Sequence, residues 1–247
     1  MSSYTVFPNA PITEALLDIR VELPETATLE VLEKFQEKIK ARFPEKQQRV
    51  SYRADFKLTP EGPSAEVPFS GPDGYFFQSS KDKKIVQVRL DGFTFNKLKP
   101  YEKWEALKSE ARELWDIYYK IAKPVRITRI ALRYINRIEI PLPVKTFKDY
   151  ILTVPEIAPG LPQGLSQFFM QLVIPSPDIE ATAIINQTME SPNPNQRLPF
   201  IFDIDAYRDV SYSGNESDMW DAFEKLRDFK NQIFFNSTTD KAKELFK

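Results

Sequence analysis

A chain of 247 residues with 42% hydrophobic, 13% aromatic and 28% charged side chains has the composition of a folded protein, and a chain of this length buries roughly three-quarters of its unfolded surface. It contains neither histidine nor cysteine, which excludes Ser-His and Cys-His nucleophile systems, an imidazole base, disulfides and thiolate metal sites. The net charge of −1 and the pI of about 5.8 lack the positive excess from which a generic nucleic-acid binder draws most of its affinity.

The opening Met1-Ser2-Ser3-Tyr4 has no basic stretch followed by an apolar one, and no apolar run approaches the ~20 residues of a membrane helix. The expected location is therefore the cytoplasm, with no membrane partner. Residues 14–23 alternate, with Leu17, Ile19, Val21 and Leu23 on one face of a strand and Leu16, Asp18, Arg20 and Glu22 on the other. Pro24 ends it. Thr26 or Thr28 caps a helix over 29–43 whose stripe is Leu29, Leu32, Phe35, Ile39 and Phe43. Strands are expected at 49–58, 75–80, 84–90 and 93–98, with a Pro- and Gly-rich loop over 59–74. A helix over 101–122 follows, striped by Trp104, Leu107, Ala111, Leu114, Tyr118 and Ile121.

The isoleucine-rich run between Pro124 and Pro141 favours a long strand with a bulge, although a helix would also align Arg129, Arg133 and Arg137. A short helix begins near Thr146. Strands follow at 166–174, 178–189 and 199–208, then helices over 216–235 and 238–246. The order is β-α-β(3–4)-α used twice, in halves 1–123 and 124–247, packed as one compact domain. The expected fold is α+β: a large antiparallel sheet with helices on one side and a polar face on the other. Two such halves resemble the saddle layout of TATA-binding-like folds, a likeness of layout that does not give function.

The stretch Asn9-Ala-Pro-Ile-Thr-Glu-Ala-Leu-Leu-Asp-Ile-Arg20 resembles the opening of a sporadically distributed, uncharacterised family of prokaryotic proteins of about this length. Pro11, Ile12, Glu14, Ala15, Leu16, Leu17, Asp18, Ile19 and Arg20 carry the likeness. Leu90–Leu98, Arg133-Tyr-Ile-Asn-Arg137 and Ile233–Asp240 extend it over nearly the whole chain. The resemblance transfers no activity and no catalytic residues. The family's patchy distribution implies an accessory role, as in defence or toxin-neutralising systems.

On an unbroken strand Arg129, Arg133 and Arg137 face one way, ~13 Å apart. Arg20 lies on a polar face, and Arg89 shares a face with Gln87. Guanidinium groups suit phosphate or carboxylate ligands, so these five arginines are candidate ligand contacts. The competing expectation is a solvated face on which they pair with Asp18, Glu22, Glu139, Asp203 and Asp205. Asp203 and Asp205 share a face with Tyr207 and are candidate Mg²⁺ ligands. The seven glycines form no dinucleotide fingerprint and no P-loop. Glu-x-Glu-x-Lys is absent, and Trp104, Trp115, Phe200 and Phe202 are expected in the core. The leading functional expectation is a non-enzymatic protein that binds a protein partner, another copy of itself or a ligand. The alternatives are a nucleic-acid or nucleotide binder on the Arg-rich face and a Mg²⁺-dependent phosphoryl-transfer enzyme.

Overall fold

The computed structural model describes residues 4–52, 55–59, 62–66, 69–212 and 216–247, with side chains described outside 51–70 and 213–217. The chain runs β1 (Ile12–Glu22), α1 (Leu29–Glu33), α2 (Phe35–Ile39), β2 (Glu45–Tyr52), β3 (Asp55–Thr59), β4 (Gly62–Glu66), β5 (Phe69–Ser79), β6 (Lys84–Arg89) and β7 (Gly92–Leu98). It continues through α3 (Trp104–Ala122), β8 (Arg126–Pro141), β9 (Phe169–Ser176), β10 (Ala181–Met189), β11 (Arg197–Tyr212), α4 (Glu216–Ser237) and α5 (Asp240–Glu244).

Nine strands form one antiparallel sheet in the order β2-β5-β6-β7-β1-β8-β11-β10-β9. The β1–β8 pair is the centre. Outward from it lie β7, β6, β5 and β2 on one side and β11, β10 and β9 on the other. On each side the first strand of the half pairs with its last. Residues 1–123 and 124–247 therefore contribute to one continuous sheet. Strand order depends on contacts far apart in the chain, so local periodicity does not contain it.

One parity of strand residues carries the core. Leu17, Ile19, Phe93, Phe95, Ile130 and Leu132 are fully buried with Leu32 of α1, Phe35 of α2, and Trp115 and Tyr118 of α3. A second cluster joins Ile138, Phe200 and Phe202 to Phe234 of α4 and Ala242 of α5. All five helices thus cover one face, as an α+β fold with a large sheet requires. Trp104, Trp115, Phe200 and Phe202 are core residues, as expected. Among the described residues no helix is long and apolar enough to cross a membrane.

The 126–141 run is a strand because β1 and β11 take up both of its edges. Its bulge is Thr128: opposite Arg20 and Val21 the partner steps from Arg129 to Ile127. Two expectations are corrected. The helix over 29–43 is two short helices broken at Lys34, although its stripe of Leu32, Phe35, Ile39 and Phe43 is buried as anticipated. Thr28 caps the first, its Oγ1 accepting from the Val31 amide at 3.5 Å. Of the loop placed at 59–74, residues 60, 61, 67 and 68 lie outside the described residues; the rest holds the last residue of β3, Thr59 opposite Gly62, all of β4 and the start of β5. Pro63 and Pro72 lie within β4 and β5, so composition alone reads as a loop.

Candidate functional site

The face opposite the helices is built from the other parity. Asp18 stands opposite Thr94 on one side and Ala131 on the other, Leu16 opposite Arg133, and Arg20 opposite Arg129. On β11, Asp205 stands opposite Arg133 and Tyr207 opposite Ala131.

Asp18, only 6% exposed, is the hub. It accepts from Arg89 Nη2 at 2.8 Å, from Thr94 Oγ1 at 2.6 Å and from Arg20 Nε at 3.1 Å. Arg129 Nη1 lies 3.8 Å away. Burial pushes the Asp18 carboxyl up, but Arg89, Thr94 and Arg20 together outweigh it and hold it below its ordinary value. Arg89 is equally buried, at 3% exposure. It reaches Asp18 two strands away because its neighbour across β7 is Gly92. A Cβ there would lie 2.9 Å from Arg89 Nη2 and 2.3 Å from the Ile19 carbonyl oxygen, and the residue's φ is +157°. Gly92→Val is accordingly expected to cost more than about 3 kcal/mol, measured by urea unfolding. An unchanged midpoint would mean that the guanidinium does not need this passage.

Farther along the face, Asp203 takes a two-pronged contact from Arg133, Nε at 2.8 Å and Nη2 at 2.7 Å, and accepts from Asn186 at 3.1 Å. Asn186 in turn accepts from Gln171 of β9 at 2.8 Å. A polar ladder thus runs from β8 to the edge of the sheet. Asp205 meets only Arg129 Nη2, at 3.4 Å, and its Oδ1 is buried without a hydrogen bond. Burial raises the Asp205 carboxyl more than Arg129 and Arg133 lower it, with Asp203 and Asp18 adding to the rise. Arg129 also lies over the Tyr207 ring at 4.3 Å. Arg137 stands apart, paired with Glu139 and, at 2.9 Å, with Glu190.

Three of the five candidate arginines, Arg20, Arg89 and Arg129, therefore meet at Asp18, Arg133 serves Asp203, and Arg137 belongs to a separate pair of carboxylates. Every one of them has a carboxylate partner. Both oxygens of Asp203, proposed from the sequence as a Mg²⁺ ligand, are engaged by Arg133. Among the described residues no three carboxylates are placed to hold a metal ion.

The two edges of the sheet differ. β2 presents Glu45, Lys46 and Arg49, the charges by which sheet edges resist pairing. β9, Phe-Met-Gln-Leu-Val-Ile-Pro-Ser, has no charge at all. It pairs only with β10, and its outer backbone has no partner among the described residues. Phe169 is 69% exposed and Val173 59%, both on the face opposite the helices, and Ile174 is 39% exposed. Of the eight large apolar side chains exposed among the described residues, these three fall on one strand. Sequence reasoning placed a strand here without marking it as an edge. The signal it had was the absence of charge from Phe169 to Ser176.

No family model matches the chain, and no curated protein matches it.

Proposed function

We propose that the protein is a non-catalytic interaction protein that assembles by strand addition at β9, with a second copy of the same chain as the occupant. The carrying observation is the bare edge: an eight-residue strand, uncharged and unpaired on its outer side, with Phe169 and Val173 standing out beside it. Exposed edges of this kind seek a partner strand, and native proteins that do not use them blunt them. β2 carries charges along its edge, whereas β9 carries none and only Pro175, near its C-terminal end, interrupts its donors. Two copies of β9 laid antiparallel about a two-fold axis present the same surface to each other without like-charge conflict, the self-complementarity that a closed dimer requires. The polar ladder Gln171–Asn186–Asp203–Arg133 braces β9 in register for this.

The charged face supports the same assignment by what it does not offer. Arg20, Arg89, Arg129 and Arg133 are matched by carboxylates, so a phosphate there would have to displace Asp18 or Asp203. The Asp203–Arg133 contact likewise leaves the metal-dependent reading without support.

Sedimentation equilibrium tests the proposal. The wild-type chain is expected to approach twice its 28.7 kDa mass as concentration rises. Phe169→Lys/Val173→Lys, which sets lysines against each other across the axis, is expected to weaken association by a factor on the order of 100 while leaving the circular dichroism unchanged. A wild-type monomer at every concentration, or a dimer indifferent to both lysines, would remove the idea.

A further inference from the structure

On the helix side of the sheet, away from β9, α4 carries a buried stripe of Met219, Phe223 and Leu226, continued by Ile233 and Phe234. The stripe is interrupted by Lys230, which is only 8% exposed. The ammonium lies 3.7 Å above the centre of the Tyr134 ring. Among the described residues no carboxylate and no hydrogen-bond acceptor reaches it. Burial, with Arg227 adding to it, lowers its pKa to about 7. A buried cation without a counter-charge is an unusual thing for a fold to keep.

Lys230 opens onto a cavity of about 190 Å³ between α4, the start of α3, β8 and the N-terminal segment. Three other features converge there. Residues 102–105, around the start of the 19-residue helix α3, line the cavity, and Lys103 at the N-cap supplies no side-chain acceptor for the first-turn amides. Such an uncapped N-terminus carries partial positive charge. Tyr101 and Tyr134 also line it, with their hydroxyls 2.8 Å apart. Burial raises both phenols, Tyr101 to about 12, so both are protonated. One hydrogen lies between them and the other is free to be donated. The rest of the wall is largely apolar, formed by Phe7, Phe234 and Phe235.

We propose that this cavity binds a small apolar monocarboxylate, its carboxylate held between the Lys230 ammonium and the N-terminus of α3, its aromatic or aliphatic part against Phe7 and Phe234. The anion supplies the counter-charge that Lys230 lacks and accepts from the free phenol hydrogen. An apolar cavity of about 150 Å³ accommodates a benzene ring, so benzoate and hexanoate are of suitable size. The remaining charged groups at the rim are Arg227 on α4 and Glu102, Lys103 and Glu105 around the start of α3. Arg227 is only loosely held, 4.0 Å from Glu105 and 3.8 Å from Glu224.

Isothermal titration of the full chain with benzoate, hexanoate and benzyl alcohol tests this. One equivalent of at least one of the two acids is expected to bind, at least about tenfold more weakly to Lys230→Met. Benzyl alcohol is expected to bind both proteins alike. Tyr101→Phe, which leaves Lys230 in place, is expected to weaken the acid by about threefold and provides a second reading should Lys230→Met not fold. No binding of either acid, equal acid affinity in wild type and both variants, or benzyl alcohol binding as tightly as the acids would overturn the assignment.

Discussion

Asp18→Asn is expected to remove about 3–5 kcal/mol of folding stability, the usual consequence of taking one partner from a buried ion pair. The loss comes less from the missing attraction than from what is left behind. Arg89 is 3% exposed, and its Nη2 points at Asp18. An amide in that place presents one neutral oxygen to Arg89, Thr94 and Arg20 together. Arg89→Met on the Asp18→Asn background is therefore expected to recover most of the loss, whereas additive losses would show that the two residues are not coupled. The pH dependence has a definite sign. Asp18 is held below its ordinary value of 3.8, so its contribution is complete above about pH 4 and is lost as pH falls through the lower, folded value. Asp205, whose carboxyl is raised by burial, has the opposite sign. Its charge opposes folding above its folded pKa, and that opposition is relieved as pH falls through it. Asp205→Asn should therefore be neutral or mildly stabilising at pH 7. Urea unfolding of the two variants separates two aspartates that look alike in sequence.

Lys230→Met is expected to raise stability by about 3 kcal/mol or more near pH 7. The ammonium titrates at about 7 in the fold against an ordinary 10.5, a gap that corresponds to roughly 5 kcal/mol at ~1.36 kcal/mol per unit, reduced by relaxation around the site. Methionine fills similar space without the charge. Tyr134 lies beneath the amine, and Arg227 on the same helix, Tyr101, Glu102, Lys103 and Glu105 line the same cavity. Because the folded pKa is depressed, the unfolded chain binds the proton more readily between about pH 7 and 10.5. Wild-type stability therefore rises with pH across that window. The advantage of Lys230→Met is full below about pH 7 and fades towards pH 10.5. Urea midpoints at pH 6.5 and 10 measure it. A variant no more stable than wild type at the lower pH would mean that the ammonium is solvated after all.

The alternation of Leu17, Ile19 and Val21 with Asp18 and Arg20 was enough to orient β1, since a strand buried on one face must show period two. The α3 stripe was legible for the same reason at helical spacing. The run 126–141 was ambiguous because Arg129, Arg133 and Arg137 satisfy both periods. Only the neighbours β1 and β11 decide it. The pairing of guanidinium with carboxylate was open to inference from mixed charge on one face. Its geometry was not: Arg89 and Asp18 are 71 positions apart, and the path between them exists because residue 92 lacks a side chain. Lys230 lay in view, a lysine on the stripe set by Leu226 and Phe234. A single polar residue at such a position usually reaches the surface by its long stem, so the sequence alone did not mark it. The edge role of β9 follows from strand order, which arises from pairings between distant segments.

The proposal that this protein acts through β9 rests on the exposed apolar strand, the charged opposite edge and the carboxylate-paired arginines around Asp18 and Asp203. Hydrogen–deuterium exchange of the β9 amides, followed as a function of protein concentration, tests this most directly. Outward-pointing amides between Phe169 and Ser176 are expected to become protected as concentration rises, and Phe169→Lys/Val173→Lys is expected to abolish the protection. Fast exchange at every concentration, or protection that survives both lysines, would contradict it.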